Sequence, residues 1–432
     1  PQNININYGI KSINNIPYGH KISLKKIKSG DFIFKYGQII GVSTQKIEPG
    51  EHVHSHNMGY SDFKREYTRN NFKNDIIKNE KTEFFKGFKR NNGSSGTRNY
   101  IGLISTVNCS ATVVKKISDK INNYLKNNNF DNIDGAVCLK HSSGCGMNTY
   151  GYAMNVFNRT IEGFKIHPNF GKVFVIGLGC ECAQISLYNN DQEKRNIEYL
   201  NIQDEGGTNE IITKVTSKII NKLNEINSIS RTNIPISELT VALQCGGSDS
   251  YSGITANPAL GFASDMIIDH GGTTLLSETP EIYGAEHLLF EKSSNEKNIE
   301  KLNKQIEWWK KYVASNDSTL DNNPSPGNKK GGLTTILEKS LGAVSKAGNR
   351  NMVDVLDYAE QVKTKGFNFM NSPGYDPVSV TGQVASGANV ICFTTGRGSC
   401  FGFKPTPSIK IATNTNMYNL SLIHISEPTR RM

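Results

Sequence analysis

Six short polar loops carry most of the residues able to do chemistry, and each follows an apolar run. The richest is LQCGGSDSYSGITANP at residues 243–258, which continues the run LTVAL. It joins a thiol (Cys245), a carboxylate (Asp249) and hydroxyls such as Ser248 to a backbone that Gly246 and Gly247 leave open to close approach. The others are TVNCSA (106–111), HSSGCG (141–146), GLGCEC (177–182), LSETPE (276–281) and FTTGRGS (393–399). An apolar run emptying into such residues reads as a buried strand and the loop at its carboxyl end. Open α/β sheets bind and transform small ligands at those ends, so the pattern implies an enzyme built around one small-molecule site.

Roles can be assigned by residue type. His141 in HSSGCG suits a general base or a metal ligand, with small residues around it to admit a substrate. Glu181, Asp249, Glu278 and Glu281 offer carboxylates for base or metal duty, although each could instead cap a helix or sit in its first turn. The catalytic candidates are therefore His141, Glu181, Asp249 and Glu278. Arg397, between glycines in TGRGS, suits bidentate recognition of a carboxylate, and Arg98 in GSSGTRN has a similar setting. With Ser248, Gly246 and Gly247 they form the substrate-binding set.

Metal-ligating types also cluster. GEHVHSHN (50–57) places His52, His54 and His56 at alternate positions, which a strand would bring to one face. His52 and His54, with His20 from PYGHKI, are the metal candidates. Cys109, Cys145, Cys180 and Cys245 all fall at strand-to-loop transitions and could hold an iron–sulfur cluster if the loops converge. No local C-x2-C run supports a cluster, so it is the less favoured reading. No loop matches G-x-x-x-x-G-K-[ST], and GLGCEC lacks the third glycine of a dinucleotide fingerprint, which argues against nucleotide binding.

Three blocks of elements must position these residues. Residues 1–62 read as a small β module, with GHKISLKKI, DFIFKYG and IIGVSTQKI strand-like between turns. Residues 63–95 read as a charged, asparagine-rich linker. Residues 96–232 alternate strand and helix: IGLISTV, a helix over 110–125, GAVCL, a helix over 150–164, KVFVIGLG, IEYLNI and a helix over 211–226. A second alternating block, 233–420, runs from LTVAL through a helix at 260–268, TTLLS and a helix from Glu286 past Trp309 to NVICFTT. Such alternation predicts two α/β domains with mostly parallel sheets, each with its own core.

Composition narrows the class further. The 432 residues are 36% hydrophobic, with 40 glycines, and no apolar run approaches the roughly 20 residues of a membrane span. The start, PQNININ, shows no secretory signal, and the eight cysteines lack disulfide spacing, so a reducing, cytoplasmic setting is expected. The net charge of +10 comes from lysines scattered among asparagines and isoleucines, a solvated surface and not a nucleic-acid face. It would still favour an anionic substrate. The tail 421–432, SLIHISEPTRRM, reads as a non-native adaptor, and both ends of the chain read as incomplete.

With these motifs in view the chain resembles the D-galactarate/D-altronate dehydratases, sugar-acid hydro-lyases with an N-terminal SAF (β-clip) module. The matching stretches are GHKISL, IEPGEHVHSHN, GTRNYIGLISTVNCSATV, HSSGCGMN and VIGLGCE, then QCGGSDSYSGITANPALG, SETPEIYGAEHLL, NPSPGNKKGGLTTILEKSLGA, SPGYDPVSVTGQVA and TTGRGS. The resemblance covers essentially residues 17–416. The resemblance implies dehydration of D-altronate to 2-dehydro-3-deoxy-D-gluconate, with D-galactarate or another 2-hydroxy acid as the alternative substrate and a truncated, inactive chain as the second alternative. It also implies a divalent metal, Fe2+ or Mn2+, a small anionic sugar acid as partner without nucleic acid or membrane, and a possible homo-oligomer. In such a reaction a base removes the proton beside the carboxylate, and the neighbouring hydroxyl leaves.

Overall fold

A computed structural model of the chain describes residues 5–6, 9–63, 82–188, 196–293 and 295–420. The adaptor-like tail and most of the expected linker lie outside these residues. The small module is antiparallel β structure around Ile33, Ile40, Ile47, Val53 and Met58. Phe32–Lys35 and Gln38–Ser43 form a hairpin, and Met58–Gly59 pairs with the second strand. The two turn residues, Tyr36 and Gly37, have φ of 53° and 77°, the left-handed pair that a two-residue hairpin of matching twist requires. GHKISLKKI contributes only the short strand Lys21–Ile22, paired with His52–Val53.

The strand Phe84–Lys89, within the span expected to be linker, pairs with Thr232–Pro235 and Ser95–Gly96. Here Phe88 is buried beneath Arg231. An aromatic pattern interrupted by lysine and glycine hid this strand from a period-two reading.

Numbering only the strands and long helices of the two α/β blocks, the middle block holds β1 (Tyr100–Ser105), α1 (Ala111–Lys126), β2 (Gly135–Leu139), α2 (Tyr152–Lys165), β3 (Phe170–Gly177), β4 (Ile197–Asn201) and α3 (Thr208–Asn227). Its sheet is wholly parallel in the order β2-β1-β3-β4. The second block holds β5 (Thr240–Cys245), α4 (Ala256–Asp269), β6 (Thr273–Leu276), α5 (Glu296–Ala314), α6 (Ile336–Val344), β7 (Met352–Leu356), β8 (Gly366–Met370), α7 (Asp376–Ala385), β9 (Val390–Thr395) and β10 (Ser408–Ala412). Its parallel order is β7-β8-β6-β5-β9-β10. The helix expected from Glu286 past Trp309 is in two pieces, His287–Phe290 and α5, the latter starting at an Asn295 cap whose side chain accepts the Asn298 N–H.

Each block has its own core, that of the second block built around Leu243, Leu260, Ile336 and Phe367, and the two share a third. One face of the middle sheet is covered by α1 and α3, through Val113, Val114 and Ile117 of the first helix and Val215 and Ile219 of the second. Its other face forms one continuous core with the second block, joining Ile104, Val137 and Phe164 to Val380, Val384 and Phe393. Gly163 of α2 makes this possible, since a Cβ there would stand 2.0 Å from the Ala385 carbonyl oxygen of α7. Each such buried side chain contributes about 1.5–3 kcal/mol, which favours the packing of the two blocks on one another.

Candidate active site

In the second sheet the chain steps from β5 to one side through β6 and returns on the other side at β9. The crevice between the carboxyl ends of β5 and β9 is therefore the switch point at which such sheets bind ligands. Cys245, the last residue of β5, meets Glu278 and Glu281 from the loop after β6, and their ligand atoms all lie within 4.8 Å of one another. All three are buried. Lys346 donates to Cys245 Sγ at 2.9 Å, and Lys339 donates to Glu281 Oε1 at 2.5 Å. Asn323 Nδ2 donates to the same oxygen at 2.7 Å. Glu278 holds its position in the left-handed region, at φ 75°, with its N–H on the Ser372 hydroxyl at 3.0 Å. A non-glycine residue held there costs about 1–3 kcal/mol, and such strain gathers at functional sites.

The electrostatics separate the two carboxyl groups. Burial, reinforced by the charge of Glu281, raises Glu278 well above the ordinary carboxylate range. Burial pushes Glu281 the same way, but Lys339 and then Lys346 outweigh it and hold it ionised. Burial also works against both ammonium groups, yet Glu281 beside Lys339, and Cys245 and Glu278 beside Lys346, keep them charged. Asp376, at the start of α7, is raised to about 6 by burial and by Glu281. It comes so close to β5 that a Cβ on Gly246 would stand 2.4 Å from its Oδ2. Two carboxyl groups pushed apart in acidity beside a third near neutrality are what proton transfer requires.

Across the site, Lys410 of β10 is lowered to about 8 by burial, opposed by Asp376. Its Nζ is buried with no hydrogen-bond partner among the described residues and lies 3.5 Å from the centre of the Phe393 ring. Beneath, Gln244 Nε2 donates to Ser379 Oγ and Gln383 Oε1, and Ser277 joins Ser379 at 2.6 Å, a network that fixes the strand ends. Ser372, which touches Glu278, also lines a cleft of about 800 Å³ between the two α/β blocks, together with Trp309, His141 and Met147.

As a metal site, Cys245, Glu278 and Glu281 form a donor group of one sulfur and two carboxylates. Glu278 Oε1 and Glu281 Oε2 are buried without a partner among the described residues. Both observations fit a divalent cation. The two ammonium groups offset most of the negative charge that would attract one.

The other expected site residues divide sharply. Glu278 alone of the four catalytic candidates enters this group. His141 donates from Nε2 to the Ser105 carbonyl at 2.9 Å and accepts the Ser143 N–H at Nδ1, so both ring nitrogens are occupied. Glu181 accepts from Thr106 Oγ1, Leu178 N and Gly179 N and braces its loop. Asp249 accepts from Ser252, Thr413 and Asn414 and ties β5's loop to the segment after β10. These three carry no free base position.

Of the substrate-binding candidates, Gly246 and Gly247 are at the switch point, and Gly247 O accepts the N–H of Arg397 at 2.8 Å. Ser248 is buried, its hydroxyl without a partner among the described residues. The Arg397 side chain is exposed and lines a neighbouring cavity of about 380 Å³ with Tyr18, Asp249, Tyr251 and Lys330. Arg98 lies before β1, at the opposite end of the middle sheet from the loops, and faces Asp134 at 3.7 Å.

The histidines do meet, but not on one strand face. The strand ends at Val53, and residues 54–57 turn, closed by Asn57 N on His54 O at 3.0 Å. His20 Nδ1 is 3.0 Å from His52 Nε2, while His54 Nε2 donates to Lys329 O at 2.8 Å. The three ring centroids lie 4.7–5.5 Å apart, and His20 and His54 also contact the carbonyls of Lys330 and Lys329, which docks the small module on that loop. Lys21 and Lys35 complete the docking on buried Glu338, at 2.8 and 3.0 Å.

Sequence reasoning missed Lys339, Lys346, Asp376 and Lys410. The signal for the first two was present in ILEKSLGAVSKAG, where two lysines seven residues apart interrupt an apolar helical stretch.

Fold and site thus define an α/β enzyme that moves protons on a polar small molecule. Residues 236–425 match the family model described as D-galactarate/Altronate dehydratase, C-terminal; residues 87–227 match D-galactarate dehydratase/Altronate hydrolase, second domain; residues 2–61 match Altronate/galactarate dehydratase SAF domain. The chain is 38% identical over 414 residues to altronate dehydratase of Bacillus subtilis (strain 168), covering 93% of this chain and 80% of that protein. It is 37% identical over 407 residues to altronate dehydratase of Escherichia coli (strain K12), covering 92% and 80%. Galactarate dehydratase (L-threo-forming) of the same organism is 36% identical over 422 residues, covering 95% and 80%. The chain belongs to the galactarate/altronate dehydratase family of hydro-lyases.

Proposed function

We propose that this chain removes water from a sugar acid, D-altronate in the first place, to give 2-dehydro-3-deoxy-D-gluconate. The observation that carries the reading is the group Cys245, Glu278, Glu281, Lys339 and Lys346, buried at the switch point with Asp376 at its edge. The hydrogen beside a carboxylate is a very weak acid, so positive charge must stand ready for the enediolate. Lys339 and Lys346 supply it in a site from which water is excluded. Lys410, an ammonium without a partner among the described residues, takes the substrate carboxylate.

Asp376, partly exposed and near neutrality in acidity, receives the proton from the carbon beside that carboxylate. Glu278, which burial favours in its acid form, protonates the neighbouring hydroxyl, which leaves as water, and the resulting enol becomes the 2-keto-3-deoxy acid. When bound, a divalent metal, iron or manganese, held by Cys245, Glu278 and Glu281, would supply Lewis acidity to substrate oxygens.

We place the enzyme in the reducing cytoplasm, a setting that fits eight free cysteines. No helix among the described residues is long and apolar enough to cross a membrane. The test of the activity is formation of a 2-keto-3-deoxy acid from D-altronate and D-galactarate by purified protein supplied with ferrous or manganous ion. Turnover of galactarate alone moves the substrate assignment, and turnover of neither sinks the reading.

A further inference from the structure

A cavity of about 150 Å³ lies where the small module meets the second block. The hairpin tip of the module, with Lys35 and Tyr36, forms one wall. The loop after β5, with Ser248 and Ser250, forms another, and α6, with Glu338 and Lys339, a third. The hairpin is pinned there: Thr335, which caps α6, donates to the Ile40 carbonyl, and Lys35 Nζ donates to Glu338 Oε1 at 3.0 Å. Leu341 of α6 packs on the core of the module. The space exceeds what one water needs but falls short of the roughly 300 Å³ that a whole ligand takes. It suits one end of a polar chain.

Its place ties it to the reactive group. Lys339 belongs to both, since it lines the cavity and its Nζ donates to Glu281 Oε1 at 2.5 Å. Ser248 stands two residues after Gly246, which packs against Asp376, a separation of at most about 7 Å along the chain. A six-carbon acid whose reacting carbon stands at Asp376 is long enough to extend its far end towards Ser248.

The walls offer that end neutral partners. Lys35 is engaged by Glu338 and Lys339 by Glu281, while Asp249 accepts from Ser252, Thr413 and Asn414. The hydroxyls of Ser248 and Ser250 are buried, and neither has a partner among the described residues. A hydroxyl both donates and accepts, so the pair matches the hydroxyls of a polyol. A carboxylate would instead bring a negative charge beside Glu338, where both lysines are already engaged. Burying a charge without its counterpart is costly.

We propose that this cavity receives the far, hydroxyl-bearing end of the substrate on Ser248 and Ser250, and that its matched charges select a monocarboxylate such as D-altronate over a dicarboxylate such as D-galactarate. The inference rests on the hydro-lyase reading and brings the small module into the substrate site through Lys35 and Tyr36.

The test compares kcat/KM for the two acids in the full chain, with calorimetric binding of each alongside. Ser248→Ala and Ser250→Ala should each lose about 3–10-fold in kcat/KM for D-altronate, through KM more than kcat. The charge variants should move the preference in opposite directions. Glu338→Gln releases Lys35 and should lower the altronate-to-galactarate ratio about tenfold, whereas Lys35→Met leaves Glu338 in excess and should raise it by a similar factor. A purely structural role would shift both acids together. The proposal is overturned if the serine variants bind and turn over D-altronate like the unaltered chain, or if the ratio stays fixed or moves the same way in both charge variants. Lys35→Met and the serine variants decide the matter should Glu338→Gln fail to fold. If no acid is turned over but the serine variants bind D-altronate more weakly, the hydro-lyase reading falls and the cavity assignment stands. Neither turnover nor binding of D-altronate overturns both.

Discussion

The two parallel sheets end in loops that look alike in sequence and behave as opposites. On the middle sheet GLGCEC places Glu181 beside exposed thiols, and every oxygen of that carboxylate is taken by a hydroxyl or backbone N–H. On the second sheet QCGG and SETPE place Cys245 and Glu278 beneath the surface, with carboxylate oxygens left over. The difference comes from what packs on top. α6 and the turn after it lower Lys339 and Lys346 onto the second site, whereas Glu181 answers to neutral donors alone. A glycine-rich loop behind a strand therefore announces a place for chemistry, and the element packed over it decides whether its acids are structural or reactive.

That contrast can be broken most severely at the edge of the second site. Asp376→Asn should lower kcat by about 10²–10⁴-fold if Asp376 moves the proton. Steady-state kinetics on D-altronate decide it, and a kcat within about twofold of the unaltered enzyme removes Asp376 from the mechanism.

Lys339→Met should cost about 3–5 kcal/mol of stability, because it leaves the buried Glu281 carboxylate without its partner. Denaturant unfolding reads this, and Lys339→Met with Glu281→Gln in one chain should recover much of the loss. If the double variant is no better than the single one, the pair is not the structural unit described here.

Acid should loosen the small module. Glu338 is held at about 2, against an ordinary 4.5: burial opposes its charge, but Lys21 and Lys35 more than offset burial. A depressed carboxylate stabilises the fold above pH 4.5 and loses that contribution as the pH falls towards 2. The carboxylate's share is on the order of 3 kcal/mol, reduced because Lys21 is itself lowered by burial. Stability measured against pH should fall over this window, and Glu338→Gln should flatten the curve.

The mildest change sharpens the comparison directly. Glu181→Gln should cost about 1–3 kcal/mol of stability through lost charged hydrogen bonds while leaving proton transfer intact. Glu278→Gln, at a carboxyl group that burial already disfavours as an anion, should lower kcat with a smaller effect on stability. Equal profiles for the two variants would erase the distinction between the sites.

Much of the architecture was legible because it depends on local pattern. α1, α3 and the buried strands carry their periodicity openly, and the loops at strand ends are marked by glycine and hydroxyl residues. Glu278 was legible as a candidate for the same reason. His141, Glu181 and Asp249 read as bases because residue type does not reveal whether a backbone N–H or hydroxyl has already claimed the side chain. The histidines illustrate a second limit. Their alternation suggested a strand face, but the chain turns after Val53, and contact with the 329–332 loop brings the rings together.

By itself the sequence determined the order of strands and helices, the small module at the front, the glycine-rich ends and the family to which the chain belongs, since all of these are written in neighbouring residues. Only the tertiary structure decided which acids share a buried site. Cys245, Glu281, Lys339, Asp376 and Lys410 are scattered over the second block, and the acidities of the last four depend on desolvation and on charges a few ångströms away, which exist only once β6, α6, α7 and β10 have packed.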